Sequence, residues 1–299
     1  MLHVRHGPFR GRPASLEICR RPKGRTMSKP VSSLTEIASD VRLRRDDGWV
    51  DMDVRWLVTD ETCGARHHVF GRTLFMPGGG HLAHKHPHAE EILYILRGRL
   101  VTTIGDETFC MGPNDVCYVP PDTLHVMRNV SATEACEVIF VYGGAPSLAV
   151  AGYVALPDPP LRAPLPRGAS RWARSLPTIP SDVKLRPENG WVNMDVKWLV
   201  DDARLGSRSC VLGRTIFPPG SHHGGHNHPH AEEGMYVVRG YGETLDGDAW
   251  YPMGPEDVVF TPVGVRHGFR NTSPSEPCET LWTYGGVPSL AAAGYVEMR

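Results

Sequence analysis

GGGHLAHKHPHAEE, residues 78–91, and GSHHGGHNHPHAEE, residues 220–233, are the two stretches on which the reading of this chain turns. Each contains two histidines two residues apart and a glutamate five residues beyond the second. On an extended strand, side chains at i and i+2 lie on one face, so His84 and His86 can reach one point, as can His226 and His228. Glu91 and Glu233 open the next hydrophobic run after the His-Pro turn. A further histidine follows each glutamate at the same distance, His125 and His267. The two sets, His84, His86, Glu91, His125 and His226, His228, Glu233, His267, are offset throughout by 142 residues. Three imidazoles and a carboxylate suit a divalent transition ion such as iron, manganese, nickel, copper or zinc. A structural core has no need for the same four polar residues twice.

The offset extends well beyond these sets. Gly48-Trp49-Val50 returns as Gly190-Trp191-Val192, Trp56-Leu57-Val58 as Trp198-Leu199-Val200, and Gly152-Tyr153-Val154 as Gly294-Tyr295-Val296. A repeat this long is a duplicated domain rather than a solenoid. The units are 39–157 and 181–299, and the Pro-rich stretch 158–180 reads as a stiff surface linker. Residues 1–38 form a basic extension expected to lack structure. Its arginines and lysines could serve a nucleic-acid arm or a targeting segment, but Met27-Ser28-Lys29-Pro30 reads more simply as the natural start.

Within a unit, short runs rich in β-branched and aromatic residues are separated by Pro, Gly, Asn and Asp. In the first unit they are 41–43, 53–58, 68–75, 91–96, 99–104, 116–119, 125–128 and 137–141. The 32 Gly and 27 Pro of the 299 residues fit this turn-rich pattern. Seven or eight antiparallel strands predict an all-β sandwich or barrel, with one helical turn over 146–151. A formal net charge of −1 gives no overall field for nucleic acid or an anionic membrane. Seven cysteines without a CxxC pair point to a reducing compartment, hence a cytoplasmic location.

The residues also carry a resemblance. Gly78-x5-His84-x-His86-x4-Glu91-x6-Gly98 and Pro120-x-Asp122-x2-His125-x3-Asn129 resemble the two motifs of the cupin superfamily, and the second unit repeats both. The chain thus resembles a bicupin. That implies two tandem double-stranded β-helix (jelly-roll) barrels, each holding a metal through three histidines and a glutamate with open positions. Asp122 departs from the pattern, which has glycine there. Asn114 and Glu256 likewise stand where glycine is usual.

A divalent ion, one carboxylate and three neutral imidazoles leave a net charge of +1, which favours an anionic chelating ligand. The expected wall is apolar: Leu93 and Met127 in one unit, Met235 and Phe269 in the other. Arg72 and Arg214 are candidate clamps for a substrate carboxylate. His88 and His230 are candidate proton carriers, and Glu90 a further one. With both ligand sets whole, two occupied centres are expected, Fe(II) favoured. The leading functional expectation is a non-haem dioxygenase-type oxidoreductase acting on a small carboxylate, phenolic or enolic substrate with dioxygen. The alternatives are a non-redox isomerase, lyase or decarboxylase, and a binding or storage protein. No nucleic-acid or membrane partner is expected, and a monomer or a homodimer is equally reasonable.

Overall fold

The computed structural model describes residues 30–160 and 162–298. The proposed start at Met27 and most of the basic extension lie outside them. The first half contains β1 (Val31–Ser33), β2 (Trp49–Val58), β3 (His68–Lys85), β4 (Glu90–Arg97), β5 (Leu100–Ile104), β6 (Glu107–Met111), β7 (Asp115–Val119), β8 (His125–Arg128), β9 (Cys136–Gly143), α1 (Leu148–Ala151) and β10 (Val154–Ala155). After β11 (Ala173–Ser175) the second half repeats the order: β12 (Trp191–Val192), β13 (Asp195–Val200), β14 (Cys210–Phe217), β15 (His222–Asn227), β16 (Glu232–Arg239), β17 (Gly242–Asp246), β18 (Ala249–Met253), β19 (Asp257–Thr261), β20 (His267–Asn271), β21 (Cys278–Gly285), α2 (Leu290–Ala293) and β22 (Val296–Glu297). The all-β expectation holds. Residues 41–43, expected as a strand, form a turn instead.

In the second half one sheet runs β1-β19-β16-β21-β14-β13 and the other β12-β15-β20-β17-β18, closing around a buried apolar core. The first half uses the same pairings, but β3 runs unbroken through the bend and joins the two sheets into one. In the second half the corresponding strand is interrupted between β14 and β15, where Pro218 and Pro219 stand.

Each barrel has its own core, and a third apolar cluster lies between them. It takes Phe70, Ile92 and Ile139 from one half and Leu212, Tyr236 and Leu281 from the other. Strand β4 is therefore apolar on both faces: Leu93 and Ile95 face its own barrel, Ile92 and Tyr94 face the other half.

Two expectations about the connecting segments need correction. Residues 31–33, placed in an unstructured extension, pair with β19 of the second half. Residues 173–175, placed in the linker, pair with β7 of the first half. The two strands are again 142 residues apart, so each half lends its leading strand to the other's sheet. Leu34 and Leu176, which follow these strands, are buried. Backbone N–H groups in search of partners along β7 and β19 outweigh the proline content that suggested a free linker.

Candidate metal centres

His84 lies near the end of β3 and His86 just past it, Glu91 is on β4, and His125 opens β8. Register places His125 directly opposite His84. The four side chains offer ligand atoms that all lie within 4.8 Å of one another, and all four residues are buried. His226, His228, Glu233 and His267 converge in the same way in the second barrel, with His267 opposite His226.

The rings are held in place by backbone. His84 Nδ1 lies 2.6 Å from the Leu82 carbonyl, His86 Nδ1 2.6 Å from that of Gly152, and His125 Nδ1 2.8 Å from that of Thr123. The second barrel repeats all three contacts, through the carbonyls of Gly224, Gly294 and Val265. A carbonyl only accepts, so each Nδ1 carries a proton and each Nε2 faces inward, that of His267 toward the Glu233 carboxylate. The Nε2 atoms of His84, His86, His125, His226 and His228 and Oε2 of Glu91 are buried without a hydrogen-bond partner. Six orphaned acceptors around two points would be costly in an apolar interior, and a cation at each point satisfies them. The residues fit a divalent metal.

Burial, followed by the neighbouring imidazoles, holds His84 and His226 well below the ordinary histidine range, so both are neutral donors. In the second centre burial opposes the charge on Glu233, but His267 and His228 hold its pKa far below the usual carboxylate value. Glu233 lies 3.1 Å from His267 Nε2 and 3.4 Å from His228 Nε2.

An aromatic column backs each first ligand. Trp49, His81 and His84 stack at centroid separations of 3.8 and 3.6 Å, and Tyr153 lies 5.0 Å from His84. Trp191, His223, His226 and Tyr295 repeat it. Sequence spacing alone assigns no role to His81 and His223 or to the tryptophans and tyrosines that clamp them. The recurring Gly-Trp-Val and Gly-Tyr-Val triplets were the available signal. In the first barrel a cavity of about 10 Å³, room for about one water, lies beside Glu91 and is lined by His81, Thr73, Leu93, Met127, Phe140 and Tyr142.

The remaining candidates divide. Leu93 and Met127 line that cavity, and Met235 and Phe269 sit in the core of the second barrel. Arg72 does not reach the cavity. Strand alternation sends it to the opposite face of β3 from Thr73, where it bonds Glu137 at 2.9 Å and Asp53 at 3.1 Å. Arg214 bonds Glu279 likewise, so neither is placed to clamp a ligand. His88 and His230 are exposed in the turns after His-Pro, away from the cavity. Glu90 faces away from Glu91 into the other half, where it accepts from Ser207, Arg208 and Ser209. Asp122, Asn114 and Glu256 adopt left-handed φ values of 58°, 67° and 69°, so the turns that lack the usual glycine keep its conformation.

Two β-barrels, each converging three histidines and a glutamate on one interior point, define a tandem metal-binding barrel protein. The cupin domain family matches residues 71–142 and again 213–284. A 111-residue segment is 33% identical to protein SchB of Streptomyces halstedii, covering 37% of this chain and 80% of that protein. The chain belongs to the cupin family, with two tandem cupin domains. Polyketide synthase CurC of Streptomyces cyaneus is 35% identical over 94 residues, a match spanning 31% of this chain and 61% of CurC. Among solved structures, an oxalate decarboxylase of Bacillus subtilis superposes with a TM-score of 0.66 at 16% identity, covering 91% of this chain and 80% of that one. The Lactobacillus farciminis oxalate decarboxylase–formate complex gives 0.66 at 15% identity, covering 91% and 89%. At these identities the likeness is one of fold. No helix among the described residues is long and apolar enough to cross a membrane.

Proposed function

We propose that this chain is a metal-dependent enzyme of the lyase type that decarboxylates a small acid able to chelate an ion through two oxygens. The observation that carries the reading is the set of inward-facing, unpartnered Nε2 atoms beside a buried carboxylate in an otherwise apolar barrel. His84, His86, Glu91 and His125 would hold one divalent ion, and His226, His228, Glu233 and His267 the other. Such an ion, when bound, acts as a Lewis acid that stabilises negative charge on a carboxylate or enolate oxygen.

The protein's own share follows from its geometry. The carbonyls fix the rings in orientation and tautomer, and burial keeps His84 and His226 neutral. Leu93, Met127 and Phe140 exclude water, which strengthens the field felt by a bound anion. His81 lines the same cavity with an unpartnered Nε2 and can hydrogen-bond a ligand oxygen. Oxalate and β-keto acids both present two oxygens to one ion. The former is suggested by the decarboxylase neighbours, the latter by the name of CurC. The donor set is not specific to iron: manganese suits it equally, and the Bacillus subtilis decarboxylase has Mn(II) centres.

The test is to purify the chain without chelator and measure its metal content. Carbon dioxide release from oxalate and from β-keto acids is then followed under manganese and ferrous loading, with oxygen uptake recorded. Decarboxylation without net oxygen uptake is expected. Stoichiometric oxygen consumption would overturn the lyase reading in favour of the oxidoreductase. No bound metal would overturn both.

A further inference from the structure

Three interior positions differ in kind between the barrels. Directly opposite the ligand His125 lies Ile104, whereas opposite His267 lies Asp246. Directly opposite Glu91 lies Val119, whereas opposite Glu233 lies Thr261. Val138 lines the cavity of the first barrel, and its counterpart Thr280 is fully buried with a hydroxyl that has no hydrogen-bond partner. Cross-strand partners share a face, with Cβ atoms about 5 Å apart, so Asp246 and Thr261 point into the barrel beside the ligands they oppose. Each difference replaces an aliphatic side chain of the first barrel with a polar one in the second.

Other interior differences compensate in volume. Phe269 for Met127 comes with Gly242 for Leu100, and a Cβ on Gly242 would lie 2.3 Å from the Phe269 ring. The polar exchanges have no such partner. Charges near the two centres differ as well. Lys85, between two ligands of the first centre, is paired with Asp122 at 2.6 Å, and both are uncharged in the second half, as Asn227 and Gly264. Arg266, beside His267 and replacing Leu124, donates Nη1 to the Gly247 carbonyl and to fully exposed Asp248, whereas its buried Nε has no partner.

We infer that the two centres take different ligands: the first a dianionic acid such as oxalate, the second a monoanionic acid with a further hydrogen-bonding group. With a divalent ion the first centre carries +1, with aliphatic side chains at these three positions. In the second, the partly exposed Asp246 carboxylate opposite His267 lowers that positive charge, and Thr261 and the orphaned Thr280 hydroxyl are available to a polar ligand. This rests on the proposed reading of both clusters as metal centres.

The experiment uses the full chain as His226→Ala, keeping the first centre, and as His84→Ala, keeping the second, each loaded with Mn(II). Metal content is measured, and oxalate and formate are titrated against the Mn(II) resonance line shape. The oxalate-to-formate affinity ratio should be roughly tenfold higher at the first centre, as one added, partly exposed carboxylate beside His267 would give. Asp246→Asn should raise the ratio at the second centre toward that of the first. In the otherwise intact chain, Ile104→Asp should weaken oxalate binding, a comparison that stands if a ligand variant fails to fold. Equal ratios at the two centres, or a ratio indifferent to Asp246→Asn, would overturn the inference. Discrimination without carbon dioxide release would overturn the decarboxylase reading alone, and absence of bound manganese would overturn both.

Discussion

Replacing Glu90 with alanine should destabilise the whole molecule far more than a single side chain next to a metal ligand would suggest. Its carboxylate is 1% exposed and lies in the seam between the halves. It accepts hydrogen bonds from Tyr118 Oη at 2.8 Å, Ser207 Oγ at 2.7 Å, Arg208 N at 3.0 Å, and from Ser209 N and Oγ at 2.8 Å each. Bonds to a charged acceptor contribute about 1.5–3 kcal/mol each, but they share one acceptor group and their effects do not add. Deleting the acceptor from a buried charged network costs about 3–5 kcal/mol. For a cooperative unit of this size that corresponds to a fall in Tm of about 10 °C, at about 2–4 °C per kcal/mol. Differential scanning calorimetry of Glu90→Ala and Glu90→Gln measures it, with metal content determined in parallel because Glu91 is adjacent. The glutamine variant, which keeps an oxygen acceptor, should recover part of the loss. A Tm for Glu90→Ala within about 2 °C of the parent at equal metal content would refute the idea that this carboxylate fastens the halves together.

Single substitutions His84→Ala and His226→Ala should each remove about one metal ion per chain by elemental analysis, because four-ligand sites lose most of their affinity with one ligand. Arg72→Ala should lower Tm by about 2–4 °C or more while leaving metal content and anion affinity unchanged, since the guanidinium serves Glu137 and Asp53 rather than the cavity. Burial works against the charge on Glu90 and Glu232, yet their donors in the opposite half hold both below the usual 4.5. A depressed folded value means that this stability is fully present above about pH 4.5 and is lost as pH falls through the folded pKa. Calorimetry from pH 7 to 3 should therefore show acid destabilisation that Glu90→Ala reduces. His68→Ala should destabilise the seam as well, because His68 Nδ1 meets Glu232 at 2.8 Å and Nε2 meets Thr283 at 3.0 Å, whereas its counterpart Cys210 makes no matching ring contact.

The duplication and both ligand sets were legible because they depend on local spacing. His84-x-His86 and the run beginning at Glu91 place side chains on known faces of strands, and the constant offset carries the reading into the second half. What those strands pack against was not legible. Period-two alternation separates Arg72 from Thr73 and Glu90 from Glu91, but it does not say that the far face meets another barrel. The run Glu90–Arg97 held a usable hint, since a strand apolar on both faces has to be covered twice. The crossed pairing of β1 and β11 left no local trace. Three-residue strands beside proline look like coil until a remote partner edge, 56–60 residues away for β11 and 224–228 for β1, supplies their hydrogen bonds.

That crossed pairing bears on what either half could do alone. Severed between the units, each would keep its ligands and its interior but would have surrendered an edge to the departed fragment, leaving β7 or β19 with unmet backbone donors and acceptors. A second copy of the same fragment carries the matching ribbon and would supply it by reciprocal exchange. The fused chain makes that exchange intramolecular, at a fixed local concentration that dilution cannot lower. Its architecture is that of a symmetric pair tied end to end, free to specialise its members without losing the embrace.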